Sequence, residues 1–238
     1  IEPADAGRLV ELDRQVGPCG IVRGGWGLEP LQALISTYMG TNTFCLEWMD
    51  RRDEVLRLCD ILAAKRRQAY PIAARAPACV GHFNYGGNVV PEIVGLETFE
   101  RYYVPHYQEA ADVLHKRGKK IGVHFDANCA LLQDAIAKTD LDYIEAFTPA
   151  PDTDMTLREA RGAWPDKVLW INFPSSLHLK GPEAVAQTTV DLIRAAEPPA
   201  GLLIGITEDV PAERVDANYP AILDGIDRYE QGQARRRA

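Results

Sequence analysis

His124 and Asp126 stand two residues apart at the end of the β-rich run 120–125 (KIGVHF). On an extended backbone such a pair projects to one face, so an imidazole and a carboxylate converge on one spot. Glu145 lies near the end of a second run, 142–147 (DYIEAF), and Glu208 follows a third, 201–206 (GLLIGI). Carboxylates and an imidazole suit two chemistries. They can hold a divalent metal with positions left open, or pass protons as a general acid/base set. A lone H-x-D more often just fixes a loop. Here its position beside other acids, each at a strand end, favours a site. His82 and Asn84 close the run 78–83 (ACVGHF) and Asn172 closes 167–172 (KVLWIN), which puts further polar groups at the same edge. The segment Asn84-Tyr85-Gly86-Gly87-Asn88 holds a glycine pair, which lets a backbone approach a ligand closely. His178, in the loop after Asn172, is placed to lean over that edge. His106 and His115, on a long helix, are expected to pack or to be solvated.

Elements that position these groups are legible from Ala78 onward. Helical segments at 97–118, 129–139, 155–164, 182–196 and 214–230 alternate with the strands. Phe99, Tyr103, Tyr107, Ala110 and Leu114 fall on one helical face, and Gly118 stops that helix. Crossovers of this length imply parallel strands, and strand-end chemistry belongs to barrels and open α/β sheets alike. Upstream, 19–23 (CGIVR) is a further strand candidate, followed by helices near 29–40 and 51–69. About six strands result, two short of a closed (β/α)8 barrel. Either a TIM barrel lacks its N-terminal strand-helix units, the reading preferred here, or the sheet is open and doubly wound. Residues 1–238 are expected to form one domain.

The chain of 238 residues is 46% hydrophobic and 25% charged, with a net charge of −8. Its basic residues form no stripe, which argues against nucleic acid as a partner. No apolar run reaches the ~18 residues of a membrane span, so no membrane role is expected. Five scattered cysteines without C-x-x-C suggest reduced thiols in a cytoplasmic protein. The absence of G-x-G-x-x-G, P-loop and G-x-S-x-G motifs leaves dinucleotide, nucleotide and serine-hydrolase chemistry without support.

The run from Gly87 through Pro91, Phe99, Tyr103, Pro105 and Tyr107 to HKRGKKIGVHFDAN (115–128) resembles the uroporphyrinogen-decarboxylase superfamily. So do DYIEAFTPAPDTD (142–154) and IGITEDVP (204–211). The resemblance implies a distorted (β/α)8 barrel and one of two activities. One is cofactor-free decarboxylation of uroporphyrinogen; the other is zinc-dependent methyl transfer between a corrinoid and an acceptor. In the methyltransferases the metal is held by H-x-C and a later cysteine. His124 matches the histidine, while Asp126 and Glu208 stand where the thiolates would be. Two soft ligands replaced by hard ones imply a metal site of altered character. The decarboxylase's arginine-rich substrate motif has no counterpart; Arg23 is the nearest basic residue to a strand end.

The resulting expectation is a metal-dependent methyltransferase-like enzyme in which His124, Asp126 and Glu208 bind a divalent metal, zinc foremost. His82, Glu145 and Asp126 are the catalytic candidates. Asn84, Tyr85, Asn128, Asn172, His178 and Arg23 are the substrate-binding ones. The partners are a small-molecule substrate, a corrinoid protein and a second copy of the chain. A metal-free decarboxylase acting on a tetrapyrrole is the alternative, and a non-catalytic corrinoid- or tetrapyrrole-binding barrel is the third reading.

Overall fold

A computed structural model describes residues 2–3, 5–206 and 210–237. Six strands form one sheet: β1 (Arg23–Leu28), β2 (His82–Gly86), β3 (Lys120–His124), β4 (Tyr143–Phe147), β5 (Val168–Asn172) and β6 (Leu202–Gly205). All neighbours are parallel, and the spatial order β1-β2-β3-β4-β5-β6 is the order in the chain. A doubly wound sheet reverses its strand order at a switch point. None occurs among these strands, so the winding is that of a (β/α) barrel. β1 and β6 are its two edges.

Side chains reveal how strongly the sheet curls. Neighbouring strands lie about 4.8 Å apart, so β1 and β5 would be separated by about 19 Å in a flat sheet. Arg23 of β1 nevertheless stacks on the Trp170 ring of β5, 5.0 Å from its centroid. It also reaches Glu145 of β4, with Nη1 3.2 Å from Oε1. One arginine can span these strands only if the face is concave, as in a barrel.

The two faces differ as period-two alternation dictates. Phe83, Tyr85, Ile121, Val123, Ile144, Leu169 and Ile171 point outward and are buried beneath the helices. Arg23, Asn84, His124, Tyr143, Glu145, Trp170 and Asn172 share the concave face. The strands are therefore not uniformly apolar, because polar groups occupy the inner positions. Gly122 of β3 makes room on this face for the Tyr143 ring. A Cβ there would lie 2.2 Å from the Tyr143 ring, which packs over it, and the Tyr143 hydroxyl donates to the carbonyl of Phe83.

Several element boundaries differ from the sequence reading. β2 begins at His82 rather than ending there, and β1 begins at Arg23. Glycine and aromatic residues (RGGWGL) look unlike a strand, but Trp26 supplies the apolar anchor by packing on Tyr70, Phe83 and Tyr85. The helix expected over 97–118 is two helices, Leu96–Tyr102 and Val104–His115. Pro105 explains the break: it sits in the first turn of the second helix, where its missing N–H costs nothing.

Two buried lysines tie the N-terminal side of the sheet to its loops. Lys119 Nζ donates to the carbonyls of Ala76, Pro77 and Val80 at 3.1, 2.8 and 2.8 Å. Lys167 Nζ donates to those of Thr139 and Leu141 at 2.6 and 2.9 Å. Among the described residues no helix is long and apolar enough to cross a membrane.

Candidate functional site

His124 ends β3 and is register-paired with Glu145 on β4, which sets the two side chains abreast on the concave face. The His124 Nδ1 to Glu145 Oε2 distance is 2.7 Å. Its Nε2 lies 3.3 Å from Asp126 Oδ2. The imidazole is thus flanked by two carboxylates, one at each ring nitrogen. Burial disfavours a charged ring here, but the Asp126 and Glu145 carboxylates outweigh it and raise the His124 pKa to about 9.

Glu145 is the hub. Besides His124 it accepts a hydrogen bond from Asn84 Nδ2 at 3.1 Å and the ion pair from Arg23. Burial would push its pKa up, but the His124 hydrogen bond and charge, with Arg23, hold it below the usual carboxylate range. The next residue, Ala146, adopts φ 61° although it is not glycine, and the β4–β5 register shifts between Glu145 and Phe147. Irregular backbone of this kind re-aims side chains and recurs beside active sites. Asn172 Nδ2 donates to the Ala146 carbonyl at 3.2 Å and to Thr148 Oγ1 at 3.1 Å, which fixes the irregular turn.

The expected residues therefore divide. His124, Asp126, Glu145, Asn84 and Arg23 come together. Arg23 reaches the cluster from the start of β1, not from a strand end. Asn128 stands in the loop beyond, where its side chain donates to Glu92 Oε1 at 2.7 Å and accepts from the Asp154 amide at 3.1 Å. Asn172 is buried and supports the backbone behind the cluster. Glu208 lies outside the described residues.

Three expectations are corrected. His82 opens β2, pairs in register with Lys120 and faces a cavity of about 820 Å³ at the N-terminal edge of the strands. It is therefore far down the sheet from His124. The error came from ending the strand at Phe83, when the apolar run continues through Tyr85. Tyr85 points to the helical side, is fully buried and shares a hydrogen bond with the Tyr70 hydroxyl, so it cannot touch a ligand on the concave face. His178 is fully buried, with its ring on Phe173 at a centroid distance of 4.8 Å, and burial lowers its pKa. It is a packing residue, not one that leans over the site.

The cavity near His82 is lined at its floor by a separate polar knot. Asp142 accepts from Lys120 Nζ at 2.7 Å and from the Ile121 amide at 2.9 Å, and lies 2.8 Å from His115 Nε2. All three partners hold strand starts or a helix end, which is a structural assignment. Trp170 and Tyr143 line this cavity from above and also border the His124 cluster. Sequence reasoning passed over both. Their signal was positional: each is two residues before a singled-out polar group, Glu145 or Asn172, on the same face.

No protein-family model and no curated protein matches the chain. A solved structure from Streptomyces avermitilis, provisionally named an orotidine 5'-phosphate decarboxylase, aligns over 88% of this chain and 71% of its own. The identity is 12% and the TM-score 0.41, a likeness too weak to carry an argument about family or activity.

Proposed function

We propose that this chain is a metal-dependent, methyltransferase-like enzyme of the uroporphyrinogen-decarboxylase superfamily, with its reaction centre at His124, Asp126 and Glu145. The observation that carries the reading is the orientation of His124. Its Nδ1 is held by Glu145 at 2.7 Å, while its Nε2 is turned toward Asp126 at 3.3 Å. A metal-ligating histidine characteristically donates its second ring N–H to a carboxylate, which fixes tautomer and direction. Glu145 fits that supporting part, and His124 Nε2 with Asp126 fits the ligand part. Glu208 is the third ligand that the resemblance implies.

A divalent cation bound there would act as a Lewis acid, lowering the pKa of an acceptor so that it can take a methyl group. The protein's own residues have simpler tasks. Glu145, anchored by Arg23 and Asn84, keeps the His124 ring from rotating and holds a proton on Nδ1. Asp126 supplies negative charge on the solvent side of the ring. Trp170 and Tyr143 wall the concave face below, limiting water. A corrinoid carrier would approach the C-terminal strand edge, where His124 and Asp126 open.

The second reading, metal-free decarboxylation of a tetrapyrrole, is favoured by one feature. Among the described residues Asp126 has no cationic partner other than the His124 ring, so a preorganised carboxylate faces outward and could stabilise a protonated pyrrole-like intermediate. Two measurements separate the readings. The protein is incubated with zinc and methylcobalamin over a panel of thiol and amine acceptors, and loss of the methyl–cobalt absorption is followed; uroporphyrinogen consumption is followed in parallel. Zinc-dependent demethylation abolished by Asp126→Ala supports methyl transfer. Turnover of uroporphyrinogen without metal overturns it.

A further inference from the structure

Glu29, Cys59 and His106 form a second cluster, in the helical layer and apart from the concave face. Glu29 caps the short helix Pro30–Ala33, Cys59 lies on the helix Arg52–Ala74, and His106 lies on Val104–His115. One ligand atom from each residue lies within 4.8 Å of the others. All three are buried, with exposures of 1%, 4% and 8%.

Among the described residues two polar atoms at this spot lack any hydrogen-bond partner: Glu29 Oε1 and His106 Nδ1. Buried polar atoms without partners are rare and costly. The Glu29 carboxylate is firmly aimed, because its other oxygen, Oε2, accepts from the Gln32 amide at 2.9 Å. Oε1 is thereby directed to within 3.7 Å of His106 Nε2. On the far side of the ring, Nδ1 faces Glu109 Oε2 at 4.0 Å. Glu109 is itself clamped by Arg67, whose Nε and Nη2 donate to it at 2.7 and 2.9 Å.

We propose that Glu29 Oε1, Cys59 Sγ and His106 Nε2 bind a zinc-like divalent cation that staples the β1–β2 connection to the helix Val104–His115. Glu109 is placed to accept a hydrogen bond from His106 Nδ1–H, the supporting partner such histidines use. The charges balance: one thiolate, one carboxylate and a neutral imidazole neutralise a divalent ion, which suits a site this buried. Thiolate and imidazole together select zinc-like metals over magnesium or calcium. Ligands 2.0–2.3 Å from a tetrahedral ion are roughly 3.3–3.7 Å apart. The carboxylate–imidazole separation is 3.7 Å and all three ligand atoms lie within 4.8 Å of one another, so binding needs the ligands to close by about an ångström. Without a cation, burial pushes the Glu29 carboxyl up to about 8 and the Cys59 thiol up to about 12, leaving a protonated acid and an inert thiol. Binding would release both protons and satisfy the unpartnered oxygen.

Cobalt(II) is the probe, because a thiolate ligand gives it a near-ultraviolet charge-transfer band that the His124, Asp126 and Glu208 oxygen and nitrogen ligands cannot produce. The full chain, stripped with chelator, is titrated with cobalt and then with zinc. We expect the band in the wild type and in Cys45→Ser, its saturation at one equivalent in His124→Ala, where only this site remains, and its loss on zinc addition. It should be lost in Cys59→Ser and in Cys59→Ala, with circular dichroism used to check that each variant is folded. Zinc should raise the melting temperature of the wild type by several degrees more than that of Cys59→Ser. Absence of the band in folded wild-type protein overturns the proposal, as does a band undiminished in both Cys59 variants.

Discussion

Replacing Glu145 with Gln removes one negative charge from the His124 ring while keeping its shape. In the metal-free protein the ring stands at about 9, against 6.5 for a free histidine. At about 1.4 kcal/mol per unit, that elevation is worth about 3 kcal/mol of preference for the imidazolium. Asp126 and Glu145 share it, each through direct contact and charge. Glu145→Gln should therefore lower the His124 pKa by about one unit or slightly more and destabilise the fold near pH 6 by about 2 kcal/mol. The sign of the pH dependence follows from linkage. A raised histidine pKa stabilises fully below about 6.5, and that stability is lost as pH rises through about 9. Glu145, whose pKa is depressed, contributes stability that is lost instead as the solution is acidified below the usual glutamate range. The assay is a proton-NMR titration of the His124 ring, assigned with His124→Gln, alongside urea denaturation between pH 6 and pH 10. An unchanged His124 pKa in Glu145→Gln would refute the reasoning, and so would a wild type whose stability rises over that interval through this group.

Other consequences can be checked by denaturation alone. Gly122→Ala places a methyl 2.2 Å from the Tyr143 ring and should cost about 1–3 kcal/mol by overpacking; that cost should shrink in a Tyr143→Ala background, and equal costs in both backgrounds would contradict the packing account. Lys119→Met leaves three carbonyls without their donor and should cost about 2–3 kcal/mol, a loss that a midpoint shift of the expected size in urea would register. His178→Phe should leave turnover unchanged, since the ring is fully buried against Phe173; a large fall in turnover with the fold intact would return His178 to the site.

The strands from 120 onward were legible because each is a compact, largely apolar run with a polar residue at or near its end, and β3, β4 and β5 lie within a residue or two of the expected bounds. β1 and β2 were displaced because glycines and aromatic rings there carry no clear alternation; their strand character comes from tertiary packing around Trp26. The same displacement sent His82 to the wrong edge and made Arg23 look like a strand-end residue. The His124–Asp126 pair was readable from spacing alone. Its link to Glu145 was not, because cross-strand register depends on pairing that one strand cannot encode. His106 was read as a packing or solvated helix residue, and its neighbours Glu29 and Cys59 are separated from it by 77 and 47 positions in the chain. Nothing in local spacing joins such distant groups; only the folded helical layer does.

The central claim concerns what His124 Nε2 and Asp126 Oδ2 are turned toward. Crystals grown with zinc and measured at the zinc absorption edge test it most directly. The account predicts an anomalous peak bonded to His124 Nε2 and to an Asp126 carboxylate oxygen at about 2.0–2.2 Å, with Glu145 still on Nδ1. A map at saturating zinc in which His124 keeps both carboxylates, with no peak beside its Nε2, would contradict it.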